Sequence, residues 1–156
     1  MYRMVLPVKI VPFSLVAGAL VACGQPGPTD ANMIAELPLE RGFYVMSDTA
    51  CGQASNASLL LIRGSGMNGA RDACDFTSIA QTAPTSYRAV MTCRDTQGRD
   101  TEVLTNIYQI PASTRFSYGT EDSDYRAEYR YCEQSSLPDP WRDIDLSDLI
   151  GEGSRR

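Results

Sequence analysis

"SYRAVMTC", residues 86–93, decides the fold. Tyr87, Ala89, Met91 and Cys93 alternate with Arg88, Val90 and Thr92. A period of two puts the two sets on opposite faces of an extended strand, the pattern of a sheet with one buried side. After it, the polar "RDTQGRD" (94–100) reads as a turn. "TEVLTNIYQI" (101–110) reads as a strand running back, rich in β-branched and aromatic residues.

The same reading extends in both directions. "GFYVMS" (42–47) is expected to be the first strand and "SLLLIRGSG" (58–66) the second. Asn68-Gly69 follows and predicts a tight hairpin, since both residues tolerate positive φ. "ARDACDFTSI" (70–79) is the return strand, and "TRFSYG" (114–119) and "DYRAEYRYC" (124–132) complete the set. In the last, Tyr125, Ala127, Tyr129 and Tyr131 share one face, with Arg126, Glu128 and Arg130 opposite. The i, i+4, i+7 spacing of Tyr125, Tyr129 and Cys132 leaves a helix open there, with a strand preferred. About seven short strands predict a mainly β fold, a small antiparallel barrel or sandwich spanning residues 41–133.

A β-domain of roughly 90 residues buries a limited core and benefits from covalent staples. The chain has five cysteines, Cys23, Cys51, Cys74, Cys93 and Cys132. With Cys23 set aside, Cys51, Cys74, Cys93 and Cys132 make two disulfides in an oxidising compartment. Three pairings are open, and the expected one is consecutive, Cys51–Cys74 with Cys93–Cys132.

The reason to set Cys23 aside lies in the first 22 residues. Arg3 and Lys9 are their only charges. An apolar run of 12 residues, Ile10 to Val21, follows. It is shorter than the ~20 residues of a membrane-spanning helix and has the layout of a secretory signal peptide. Leu20-Val21-Ala22-Cys23 resembles the lipobox of bacterial lipoproteins. That resemblance implies cleavage before Cys23, a diacylglyceryl group on its thiol and an acyl chain, such as palmitate, on its amine. Gly24 at the next position implies, by the same resemblance, the outer membrane of a two-membrane envelope, facing the periplasm. Two or more acyl chains anchor stably, where one holds only marginally. Residues 23–40, with three prolines after Cys23, read as the lipidated end and a flexible tether.

Composition excludes several functions. There is no histidine, and the single lysine, Lys9, lies in the leader. Residues 23–156 therefore carry 12 Arg against 19 acids, a formal charge of 12 − 19 = −7. Ser-His-Asp and Cys-His catalysis, His-containing zinc sites and Schiff-base chemistry are ruled out. The acidic balance argues against nucleic acid. No cofactor is expected.

Three segments and a few scattered residues are candidates for something more specific. "GTEDSDY" (119–125) gathers Glu121, Asp122 and Asp124, oxygen donors of the kind calcium takes, without the EF-hand pattern. "RGSGMNGARD" (63–72) is glycine-rich but lacks the P-loop spacing and lysine. Ser65 and Ser78 have no base to activate them, and acid–base work by Asp72 and Asp75 would need burial and separated pKa values. Residues 134–156 are expected to be a mobile acidic tail with one amphipathic turn over 144–150. Within the tail, Trp141, Arg142, Ile144 and Leu149 form a candidate docking peptide for an envelope protein, because Trp and Arg anchor interfaces. The alternative is that Trp141 packs on its own domain.

These features predict a membrane-anchored, non-catalytic binding or structural module of the cell envelope. In general shape, across residues 23–133, it is similar to the small disulfide-stapled β-barrel lipoproteins that inhibit lysozyme or proteases. That likeness implies an inhibitory role but assigns no residues to it. The competing expectation is a carboxylate-dependent envelope hydrolase, which would need two acids across one cleft about 5–9.5 Å apart.

Overall fold

The computed structural model describes residues 32–95, 97–98 and 101–150. The leader expected over residues 1–22, the expected lipidation site Cys23 and residues 151–156 lie outside the described residues.

Nine strands form, in chain order: β1 (Met33–Ile34), β2 (Gly42–Met46), β3 (Leu59–Ile62), β4 (Gly66–Asn68), β5 (Asp72–Ala83), β6 (Ser86–Asp95), β7 (Thr101–Ala112), β8 (Arg115–Thr120) and β9 (Ala127–Tyr131). From β2 to β9 each strand pairs antiparallel with the next, and β9 pairs back onto β2 through Tyr44↔Tyr131 and Met46↔Tyr129. The result is a closed, eight-stranded, up-and-down barrel, and closure removes every free edge of the ring. The open choice between barrel and sandwich is settled in favour of the barrel.

The alternation read in residues 86–93 is the alternation observed. Tyr87, Ala89, Met91 and Cys93 are buried inside, while Arg88, Val90 and Thr92 are only partly covered. Residues 127–131 are a strand rather than a helix, with Ala127, Tyr129 and Tyr131 packed toward the interior. The centre of the barrel is filled by rings. Phe116 lies 5.1 Å from Tyr44, 5.5 Å from Tyr129 and 5.8 Å from Tyr118, and Tyr108 stacks on Tyr118 at 5.4 Å. Edge and offset contacts of this kind add to the burial of each ring.

The run at 58–66, expected as one strand, splits into β3 and β4 around a turn at Arg63-Gly64-Ser65. Asn68 belongs to β4, and neither it nor Gly69 adopts positive φ. The hairpin expected at Asn68-Gly69 is therefore an ordinary turn closed by the Gly69 N–H donating to the Asp72 carbonyl. In the predicted turn at 94–100, Gly98 has φ +68°, a left-handed position glycine takes without cost.

One end of the barrel is plugged by residues that the sequence placed in the tether. β1 pairs with the far half of β5 through Met33↔Ala80 and Ile34↔Ile79. Leu37 is buried among the interior residues. The Glu40 N–H then donates to the Ser113 carbonyl in the β7–β8 turn. The segment thus crosses from β5 to β8 before entering β2. The Tyr44 hydroxyl reaches down to it and donates to the carbonyls of Glu40 and Ser113. Residues 33–40 are therefore packed as part of the barrel.

A second core lies outside the ring. On β2 and β3, Phe43, Val45, Leu59 and Leu61 point outward and are nonetheless buried. They are covered by Ala54 of the β2–β3 loop and by Leu137, Trp141 and Leu146. Residues 134–150, expected as a tail apart from the domain, are packed along its wall. Two 3-10 turns and a short helix, α1 (Ser147–Ile150), carry them, and Arg41 donates to the Ile150 carbonyl at 3.0 Å. Leu137 has no solvent-exposed surface. Leu137→Ala is expected to lower stability by about 3 kcal/mol in denaturant unfolding, as for other buried Leu→Ala changes. A loss below about 0.5 kcal/mol would show the segment is not part of the fold.

The disulfides correct the expected pairing. Cys51 bonds Cys132, and Cys74 bonds Cys93. Cys74 and Cys93 stand directly opposite each other on β5 and β6. Cys51–Cys132 ties the loop after β2 to the end of β9, at the seam where the barrel closes.

Candidate functional site: the open mouth of the barrel

Eight strands leave an interior that side chains can just fill, or that holds one small ligand. This barrel does the first at the plugged end and has a cavity of about 320 Å³ at the other. Its walls are apolar, formed by Leu60, Met67, Met91, Leu104 and Ala127. The Cys74–Cys93 bridge belongs to the same wall, since Cys74 also lines the cavity.

The floor is polar at one point. Asn106 follows the inward parity of Leu104 and Tyr108 on β7 and is only 4% exposed. Its amide nitrogen sits 3.7 Å from the Met91 sulfur, and its Oδ1 is buried without a hydrogen-bond partner. A buried carbonyl oxygen left unpaired costs about 1–3 kcal/mol. Beneath it, Tyr108 donates its hydroxyl to the Met67 sulfur at 3.1 Å.

The rim is built by the β8–β9 connection. Gly119 permits it, because a Cβ there would lie 2.2 Å from the Tyr125 carbonyl oxygen. The Arg126 guanidinium donates to the carbonyls of Thr120, Ser123 and Tyr125, holding the loop in a curl. Thr120, Ser123 and Tyr125 face the opening, and Tyr125 is 68% exposed. Asp72, at the start of β5, is the one charged residue among the described lining residues. Tyr118 lies along the wall, and burial, reinforced by Tyr129 and Asp72, holds its hydroxyl well above the usual phenol range. Burial raises Tyr108 as well. Both hydroxyls therefore stay neutral at ordinary pH.

The other candidates are placed as follows. Asp72 and Asp75 fall on opposite sides of the β5 wall. Asp75 faces outward to Arg63 at 2.9 Å and Arg94 at 3.6 Å, so the two do not share a cleft. Glu121 is drawn away from Asp122 and Asp124 by Arg88, which holds it at 2.8 and 2.9 Å and keeps its carboxyl below the usual range. Among the described residues no three acids or cysteines converge on a point that could hold a metal. The glycine-rich 63–72 stretch is used up in the β3–β4 turn and β4.

Trp141 is half-buried in the outer core, and Arg142 donates to the Leu137 carbonyl at 2.9 Å. Ile144 and Leu149 are 40% and 43% exposed and edge a crevice of about 210 Å³ against Phe43, Leu59 and Leu61. The four residues of the candidate docking peptide thus lie on the chain's own barrel. Asn106 was missed as a site residue. Its signal was a lone amide at an inward position of "TEVLTNIYQI", between two apolar neighbours of the same face.

No family model matches the chain, nor does a curated protein or a solved structure.

Proposed function

We propose that the chain is a lipoprotein of the bacterial cell envelope, anchored through acylated Cys23 and facing the periplasm. It acts there as a non-catalytic binding module whose binding site is the mouth of the barrel. The observation that carries the binding role is the apolar cup of about 320 Å³ at the open end of the barrel, with Asn106 and Asp72 among its few polar lining residues. Ligand sites are concave, mostly apolar and marked by a few placed polar groups. The envelope placement is supported by the Leu20-Val21-Ala22-Cys23 lipobox and by two disulfides, which persist in oxidising compartments. Met33 and Ile34 pair on β5 at the end of the barrel opposite the mouth.

Asp72 is the one carboxyl among the described residues lining the cup, which weighs against the alternative of a two-carboxylate hydrolase, which needs a facing pair. A narrower inhibitory role is compatible with this reading and assigns no residues. Lysozyme and serine-protease assays with the purified protein decide it, and no inhibition at micromolar concentration removes that narrower role.

The anchor is tested by fractionation. Cys23→Ser is expected to move the protein from the membrane to the soluble fraction. Unchanged membrane association of the variant would contradict the lipoprotein assignment.

A further inference from the structure

Resting on the reading of the barrel mouth as a binding site, we propose that its ligand is a small aliphatic amine bound tail first. The hydrocarbon fills the cup, and the ammonium group stays at the rim against the Asp72 carboxylate.

The walls select the tail. Leu60, Met67, Met91, Leu104 and Ala127 present hydrocarbon and thioether surface, so the part of a ligand that lies against them is apolar. The two methionines are unbranched and polarizable, and they adapt to a range of aliphatic shapes. The volume of about 320 Å³ is at the small end of ligand pockets, which run about 300–1,000 Å³. A compact molecule fits it, and a long lipid chain does not.

The rim selects the head. Asp72 has the inward parity of Cys74 on β5, lines the opening and is exposed to solvent. Its charge is felt by the hydroxyl of Tyr118 on β8, another lining residue, which sets the carboxylate on the cavity side of the wall. Among the described residues the Asp72 carboxylate makes no ion pair. The arginines of neighbouring segments are engaged elsewhere, Arg94 with Asp75 and Arg126 with the carbonyls of its own loop. Tyr125, 68% exposed at the same rim, adds an aromatic surface that attracts cations. An ammonium group gains from both residues, a hydroxyl gains less, and a carboxylate is repelled by Asp72. The order of the two surfaces also excludes a lysine side chain reaching in from a protein. Its ammonium would lead into the apolar part of the cup and be buried without a counter-charge, which is costly.

The experiment uses the full chain carrying Cys23→Ser, purified without detergent. It is titrated by calorimetry at low ionic strength with three linear aliphatic probes of equal chain length: a primary amine, the alcohol and the carboxylate. The amine is expected to bind roughly three- to tenfold more tightly than the alcohol, the worth of an exposed ion pair with a cation–π contact. The carboxylate is expected to bind most weakly, and added salt should shrink the spread. Asp72→Asn should bring the amine down to the level of the alcohol, with a cooperative unfolding transition showing that the variant is folded. Asp122→Asn removes the same charge from the β8–β9 loop outside the lining and should leave the amine's advantage in place. An advantage that survives Asp72→Asn, or that falls equally with Asp122→Asn, would overturn the pairing with Asp72. Equal affinity of amine and alcohol, or a carboxylate that binds best, would overturn the proposed ligand class while leaving a binding cup. No binding of any probe would overturn the cup as a binding site, and this inference with it.

Discussion

Replacing Cys51 and Cys132 together by alanine is expected to cost about 4–5 kcal/mol. The bond joins residues 81 positions apart. In the chain-entropy account, a cross-link of that length removes about 4.5 kcal/mol of freedom from the unfolded chain. Small domains have about 5–15 kcal/mol in total, so the loss takes a large share. The position sharpens the effect. Cys132 follows β9 directly, its N–H donates to the Phe43 carbonyl at 2.9 Å, and β9 is the strand that closes the ring onto β2. Arg130 also leans on the bridge, with its guanidinium 3.1 Å from the Cys51 sulfur and donating to the Thr49 carbonyl at 2.6 Å. Thermal unfolding should fall by roughly 15–30 °C. The urea m-value should rise, because the freed unfolded chain exposes more surface. A change below about 1 kcal/mol would mean that the seam does not depend on this bond.

Alkaline unfolding is the second large effect. Tyr44 and Tyr108 have no solvent-exposed surface, and burial is the first cause holding both hydroxyls above the ordinary phenol value near 10. The Tyr44 hydroxyl also donates to two carbonyls, which a phenolate could not do. Tyr118, Tyr129 and Tyr131 are raised in the same direction, each by burial first. The folded chain therefore keeps protons that the unfolded chain releases. The stability these groups contribute is fully present below pH ~10 and is lost as pH rises toward the folded values. Each fully buried tyrosine removes about 1.4 kcal/mol per pH unit over that range. Tyr44 and Tyr108 together therefore remove close to 3 kcal/mol per unit. The chain is expected to unfold cooperatively above pH ~11, with the tyrosinate absorbance of the buried rings appearing in that step. Tyr108→Phe should flatten the decline by about 1.4 kcal/mol per unit. Tyrosines that all titrate together near pH 10 in a still-folded chain would contradict the buried aromatic centre.

How much of this was legible follows from where the physical cause sits. The inward set of β6 could be read because the sheet has one wet face there and the side chains alternate accordingly. Leu59-Leu60-Leu61-Ile62 does not alternate, and the reason is the outer core: this strand is buried on both faces. That unbroken apolar run was the trace in the sequence of something packed outside the barrel. The covering residues Leu137, Trp141 and Leu146 are spaced among prolines and acids, with no period to announce them. β1 and β4 have two and three residues, too few for any pattern to show.

The cysteine pairing was hidden in the register. Ala83 faces Ser86 at the β5–β6 turn, and an uninterrupted ladder from there would set Cys74 opposite Asp95. Two shifts, between Gln81 and Ala83 and between Phe76 and Ser78, move the partner to Cys93. Bulges of this kind have no reliable signature in a single sequence. Asn106 was obscured for a related reason. Its parity on β7 is inward, but only the closed ring turns "inward" into the floor of a cavity.

The account depends on one closed ring with β5 and β6 in this register and β9 sealed to β2, since only that ring makes a cup with Asn106 at its base. Non-reducing peptide mapping of the purified protein tests it most directly. It should give a Cys74–Cys93 peptide and a Cys51–Cys132 peptide. A Cys51–Cys74 or a Cys51–Cys93 peptide would contradict both the register and the seam.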